Sequence, residues 1–224
     1  MPEKISFATL DGVTIVGEWQ AAPTVAGAVI LLHMMRSDKS SWKQMQDQLA
    51  KKGLASLAID MRGHGESIIS ADGKKLNYRL FKDEEHQAKI MDVMGAFNWI
   101  RERGMEPQQI NLCGASFGAN LCVKMLTEEP ELVGAALLSP GLDYHGLQIL
   151  KSSPFLQTDQ KLFIVSSEDD VQSFEGSRRL YEESPVTDKI FIPYKGAGHG
   201  TEILEADKNL KTKIADWLLK TIRL

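Results

Sequence analysis

The sequence predicts an α/β fold, a three-layer α/β/α sandwich built on a mostly parallel, twisted sheet. Three observations lead there. Apolar runs alternate with amphipathic stretches along the chain, the pattern of strands connected through helices. The runs "AVILL", "ASLAI", "AALL" and "LFIV" are apolar throughout, as strands covered on both faces must be. The N-terminal segment "ISFATLDGVTIVGEW", residues 5–19, is different. It reads as two short strands joined at Asp11-Gly12, so an antiparallel hairpin is expected at the start of the sheet.

The elements follow in order. "AGAVILLH", 26–33, is a buried strand. In "SSWKQMQDQLAKKG", Trp42, Met45 and Leu49 fall at helical spacing. Ser40 or Ser41 is the expected cap, and Gly53 the stop. "LASLAID", 54–60, is a strand, and 67–80 a polar, irregular surface excursion. From about 84 to 103, Ile90, Val93, Met94, Phe97 and Ile100 mark one helix ended by Gly104. "QINLCGAS" is strand then turn, "FGANLCVKMLTEE" helix, "LVGAALLSP" strand and "KLFIVSS" strand. "SFEGSRRLYEES" is helix, "KIFIPY" strand, and 202–222 a terminal helix with Leu210, Ile214, Trp217, Leu218 and Ile222 on one face.

Length and composition bound the function. The 224 residues suffice for one core, and no repeat or linker divides them, so 1–224 is expected to be a single domain. A net charge of −4 argues against nucleic acid or an anionic membrane as partner. "VAGAVILLHMM", 25–35, is too short for a membrane span, which takes about 20 residues. "MPEKISF" lacks the order of a signal peptide, and Cys113 and Cys122 make no disulfide framework. A cytoplasmic protein with two reduced, buried thiols is expected. The five histidines and two cysteines have no metal-ligand spacing, and "GASFGAN" lacks the Lys-Ser/Thr of a phosphate loop. No metal or cofactor is expected, and no sequence signal specifies an oligomeric state.

In a sheet of this kind ligands sit past the carboxyl ends of the strands. There the chain carries Ser116, an acid within "SSEDD" (166–170) and His199, in that order. A serine hydroxyl needs a base to become a nucleophile near neutral pH. Imidazole titrates in the right range, and a carboxylate fixes its tautomer. Ser116 lies between Gly114 and Gly118, the small neighbours that a sharp strand-to-helix turn requires.

Five spaced segments, "LLH", "IDMRGHGES", "GASFG", "VSSEDD" and "GAGHG", resemble the α/β-hydrolase family, nearly end to end and in its Ser-acid-His order. The resemblance implies Ser116 as nucleophile and His199 as general base. The family often ends the acid's strand with a small residue, then two residues, then the acid. Counting from Ser167 gives Asp170, and from Ser166 gives Asp169. Asp170 is favoured because Leu162 to Val165 then fill the strand, and Glu168 is a distant third. The N–H groups of Phe117 and Met35 would form the oxyanion hole. Met34 replaces the family's usual glycine there.

The resemblance implies a serine hydrolase acting on small to medium carboxylic esters or thioesters, with a small-molecule ester as partner. Residues 139–160 are too few for a cap domain and imply a short lid-like excursion. The cleft would be open and shallow, rimmed by Met34, Met35, Phe117, Leu142, Tyr144 and Phe155. Other readings are a catalytically silent binding protein on the same fold, an acyltransferase, or a peptidase using the same triad. His33 is expected to support the oxyanion loop, and His64 to shape a turn with Arg62 and Glu66. His86 and His145 have no partner pattern and read as ordinary polar residues.

Overall fold

The computed structural model describes residues 2–223. In chain order its elements are β1 (Glu3–Ala8), β2 (Thr14–Gln20), β3 (Gly27–Leu32), α1 (Lys43–Lys51), β4 (Leu54–Ile59), α2 (Asp83–Gln87), α3 (Ile90–Arg101), β5 (Ile110–Ala115), α4 (Phe117–Glu128), β6 (Gly134–Leu138), β7 (Asp143–Tyr144), β8 (Leu147–Gln148), α5 (Ile149–Ser152), β9 (Lys161–Ser167), α6 (Val171–Glu183), β10 (Asp188–Tyr194), α7 (Ile203–Ala206) and α8 (Leu210–Thr221).

One eight-stranded sheet runs β1-β2-β4-β3-β5-β6-β9-β10. β1 and β2 pair antiparallel as the expected N-terminal hairpin, in register Glu3↔Trp19 to Ala8↔Thr14. β2 joins β4 antiparallel. From β4 onward every pairing in this sheet is parallel. β7 and β8 form a separate two-stranded hairpin.

The apolar runs are continuous because each strand supplies both faces. In β3, Ala28, Ile30 and Leu32 join one core while Val29 and Leu31 join the other, the two-residue alternation of a pleated strand. β9 divides likewise, Leu162 and Ile164 against Phe163 and Val165. Cys113 and Cys122 are buried and unpaired. Among the described residues no helix is long and apolar enough to cross a membrane.

Four details differ from the sequence reading. The cap before α1 is Asp38, whose carboxylate accepts from the Ser40 N–H at 2.8 Å and starts a 3-10 turn over Lys39–Trp42. Ser40 and Ser41 lie inside that turn. The helix expected over 84–103 is two, α2 and α3, because the chain tightens at Ala88-Lys89. There the Lys89 N–H donates to His86 and the Met91 N–H to Ala88, bonds of 3-10 length. The terminal helix also breaks. The Asp207 side chain takes the Asn209 N–H at 2.8 Å, a local bond that competes with helix, while its other oxygen holds the Tyr194 hydroxyl at 2.8 Å. Residues 139–160 carry the β7–β8 hairpin as well as the short α5.

Candidate active site

Ser116 stands between β5 and α4 at φ 54° and ψ −120°, a left-handed conformation that costs a non-glycine residue of order 1 kcal/mol. Its glycine neighbours are there for close approach. A side chain at Gly114 would strike the backbone of Gly118 and the Cys122 sulfur, and one at Gly118 the carbonyls of Leu32 and His33. The turn therefore packs directly on the end of β3.

The His199 loop follows β10. His199 Nδ1 donates to Asp170 Oδ2 at 2.5 Å, and Ser173 Oγ stands 3.4 Å from the same nitrogen. Nε2 makes no hydrogen bond among the described residues, Ser116 Oγ included. Such bonds often close only around substrate. Asp169 is turned elsewhere: it accepts from the Ser167 hydroxyl and from the Gly198 N–H at 3.3 Å. The geometry thus brings Asp170 to the imidazole and leaves Asp169 bracing the loop. Glu168 is exposed and pairs with Lys195 at 3.4 Å.

Tyr144, from β7, connects the two sides. Its hydroxyl lies 2.8 Å from Ser173 Oγ. Burial pushes its phenol above the usual tyrosine range, partly offset by hydrogen bonding to Ser173 and Ser116.

The loop after β3 presents the second expected N–H. His33 is fully buried, and burial pushes it down to about 4, so the ring is neutral. Nδ1 donates to the Met34 carbonyl at 2.8 Å and Nε2 accepts from the Met61 N–H at 3.1 Å. The Met34–Met35 peptide is trans, so its C=O and N–H point in opposite directions. Holding the carbonyl therefore aims the Met35 N–H. The Phe117 N–H is the first of α4 and has no acceptor within its own helix.

Met34 does not have a positive φ, so this loop path needs no glycine. Its side chain packs against Gly200 and Thr201 and is absent from the cavity lining. Leu142 and Phe155 are absent too; Phe155 is 69% exposed. Phe117 is wholly buried. Of the expected rim, Met35 and Tyr144 line the cavity with Ser116. The cavity holds about 700 Å³.

The remaining wall was missed. It consists of Arg36, Tyr78, Arg79, Phe81, His86 and His145. Tyr78 and Arg79 come from the excursion read as mere surface. His86 and His145, read as ordinary polar residues without a partner, are partners: their rings stack at 3.9 Å. Lys89 Nζ lies 2.8 Å from His86 Nδ1 and 5.0 Å above the Phe117 ring. Burial pushes Lys89 down to about 7 and His86 down to about 4. The one signal in the sequence was Lys89, four residues before the stripe residue Val93.

His64 also departs from expectation. It stacks on Tyr78 at 3.8 Å and its Nδ1 donates to the Ser37 carbonyl at 3.1 Å. Arg62 instead binds Asp92 at 2.8 Å and Asp11 at 2.5 Å, and Glu66 binds Lys39 at 3.0 Å and Lys4. Among the described residues no group of three or more His, Cys, Asp or Glu side chains is placed to hold a metal ion.

A sequence model of the family described as "Serine aminopeptidase, S33" matches residues 23–164. Comparison with curated proteins finds no match. Among solved structures, an esterase of Pyrococcus furiosus superposes with a TM-score of 0.81 at 18% identity, over 100% of this chain and 92% of the esterase. A dienelactone hydrolase from Anabaena variabilis gives 0.76 at 16% identity, over 99% of both chains. A monoglyceride lipase from Saccharomyces cerevisiae gives 0.75 at 14% identity, over 100% of this chain and 96% of the lipase. At these identities the likeness is one of fold.

Proposed function

The chain belongs to the serine aminopeptidase S33 family of α/β-hydrolases, and from that premise we propose that it is a serine hydrolase of carboxylic esters or thioesters working through an acyl-enzyme. The observation that carries this reading is the 2.5 Å bond from His199 Nδ1 to Asp170, made beside a serine held in a strained strand-to-helix turn.

In this mechanism Ser116 Oγ attacks the ester carbonyl while His199 Nε2 takes its proton. Asp170 holds the tautomer that leaves Nε2 free and stabilises the imidazolium. The N–H groups of Met35 and Phe117 bind the oxyanion, each worth roughly 3 kcal/mol of barrier. Collapse breaks the bond to the alkoxy oxygen, which leaves as the alcohol with the proton from His199. Water then attacks the acyl-enzyme, giving its proton to His199, and the acid departs as Ser116 regains its hydrogen. Residues 1–224 act as one domain, with 139–160 a short excursion over the site, and the cytoplasm is the proposed location.

An aminopeptidase must accept an α-ammonium group, which calls for a carboxylate in the pocket. The cavity beside Ser116 is lined by two arginines and no acid, which favours ester over aminopeptide substrates. Turnover of p-nitrophenyl acetate, butyrate and octanoate by wild type and Ser116→Ala tests the reading. Wild-type turnover that falls at least about 10⁴-fold in Ser116→Ala is expected. Equal rates in the two proteins would overturn it.

A further inference from the structure

The lining of the cavity beside Ser116 has a charge the rest of the protein does not share. The chain carries a net charge of −4, yet this lining holds Arg36 and Arg79 and no carboxylate. Of the eight arginines, Arg62, Arg101, Arg178, Arg179 and Arg223 pair with carboxylates, and Arg103 stacks on the Trp99 ring. Arg36 and Arg79 have no carboxylate partner among the described residues. Arg79 rests on Tyr78, with Nε 3.4 Å from the phenol oxygen. The two arginines without an acid or an indole therefore both border the cavity of the nucleophile.

Backbone strain is gathered at the same place. Four non-glycine residues among those described have positive φ: Arg36 at 63°, Ser116 at 54°, Ser139 at 53° and His145 at 53°. Three of them line this cavity, and the carbonyl of Ser139 lies 3.5 Å from the Tyr144 hydroxyl. His145 owes its angle to the tight β7–β8 turn, where Gly146 follows at 82°. No hairpin accounts for Arg36. It occupies the residue directly after the expected oxyanion donor Met35, and its side chain lies at the edge of the cavity. Strain of this kind persists where the surroundings impose it, characteristically at ligand sites.

Nitrogen donors deepen the wall. Lys89 Nζ stands 2.8 Å from His86 Nδ1. Asp83 stands behind His145, accepting from its Nδ1 at 3.1 Å, and does not line the cavity. Met35, Tyr78 and Phe81 supply the apolar share. Guanidinium forks beside apolar surface suit a short carbon skeleton that ends in a planar, bidentate carboxylate.

We propose that the preferred substrates are esters carrying a free carboxylate, bound by Arg36 and Arg79 in the cavity that Ser116 lines. This rests on the reading of Ser116 as a nucleophile. Two matched pairs of esters test it: mono-4-nitrophenyl glutarate against its methyl ester, and 4-acetoxybenzoate against its methyl ester. They place the carboxylate on the acyl side and on the leaving side respectively. Wild type is expected to favour the anionic member of at least one pair at least about tenfold in kcat/KM. The Arg36→Gln, Arg79→Gln double variant, shown folded by its melting transition, is expected to bring that ratio close to one. A wild-type ratio of one or less in both pairs overturns the proposal, as does a ratio that survives in the double variant. Glutarate titrated into Ser116→Ala by calorimetry separates the two readings. If no ester turns over but glutarate binds saturably and the added arginine changes abolish it, the anion site stands and the hydrolase reading fails. Absence of glutarate binding together with absence of turnover overturns both.

Discussion

Two histidines, His199 after β10 and His86 on the cavity wall, are made different groups by their neighbours. His199 is part-exposed and gives its Nδ1 proton to a carboxylate, Asp170. His86 is buried, faces the ammonium of Lys89 and stacks on a second imidazole, His145. Burial, aided by Lys89 and His145, brings His86 down to about 4 and keeps its ring neutral. The two imidazoles thus differ in what is set beside them, a carboxylate for one and an amine with a second imidazole for the other.

The comparison breaks most visibly at the acid. Asp170→Asn removes the charge that holds His199 and is expected to lower kcat/KM about 10³ to 10⁴-fold. Asp169→Asn, which disturbs only the contacts to Ser167 and Gly198, is expected to cost at most about tenfold. Steady-state rates of the two variants on p-nitrophenyl butyrate check this, and equal losses would dissolve the distinction.

The neutral side is tested by acid. Burial holds His33 and His86 down to about 4 and His64 down to about 2. Their folded values lie below the unfolded one near 6.5, so the stability they contribute is full above that pH and is lost as the pH falls towards 4. Asp92, raised by burial to about 6, acts in the opposite sense, gaining stability as the pH falls below 6. Three groups against one leave a net loss of stability between pH 7 and pH 4.5, measurable as a falling urea midpoint. A flat midpoint across that range would contradict the burial argument.

Lys89 gives a smaller effect at the other end of the scale. Burial lowers it to about 7, so between pH 7 and 10.5 the unfolded chain holds a proton that the native state has released. Native stability from this group therefore rises with pH. The difference in unfolding free energy between wild type and Lys89→Met is expected to move in favour of wild type by about 3 kcal/mol from pH 7 to pH 9.5. A difference that does not change with pH would show that Lys89 keeps its proton.

The two sides also differ in how far the sequence revealed them. Ser116, Asp170 and His199 each follow a parallel strand, and continuous apolar runs mark such strands without reference to the rest of the chain. The sheet and the strand-end residues were legible for that reason. The choice between Asp169 and Asp170 was legible only in part: the residue count favoured Asp170, but β9 runs on to Ser167, and the turn after it decides which carboxylate swings towards the imidazole. The wall is assembled from a 3-10 turn at Tyr78–Leu80, the α2–α3 junction and the tip of the β7–β8 hairpin. None of these has a strong periodicity, and their meeting is a product of tertiary packing. Local bonds likewise decided the details that sequence spacing missed: Asp38 took the cap from Ser40 and Ser41, and Asp207 broke the last helix.

The central claim is that Ser116 is a nucleophile activated by the His199–Asp170 pair. Intact-mass analysis after treatment with a fluorophosphonate, followed by peptide mapping, addresses it most directly. The account predicts one adduct per chain, on Ser116, formed far more slowly in Asp170→Asn and absent in Ser116→Ala. A protein that stays unmodified, or that carries the adduct at another residue, would contradict it.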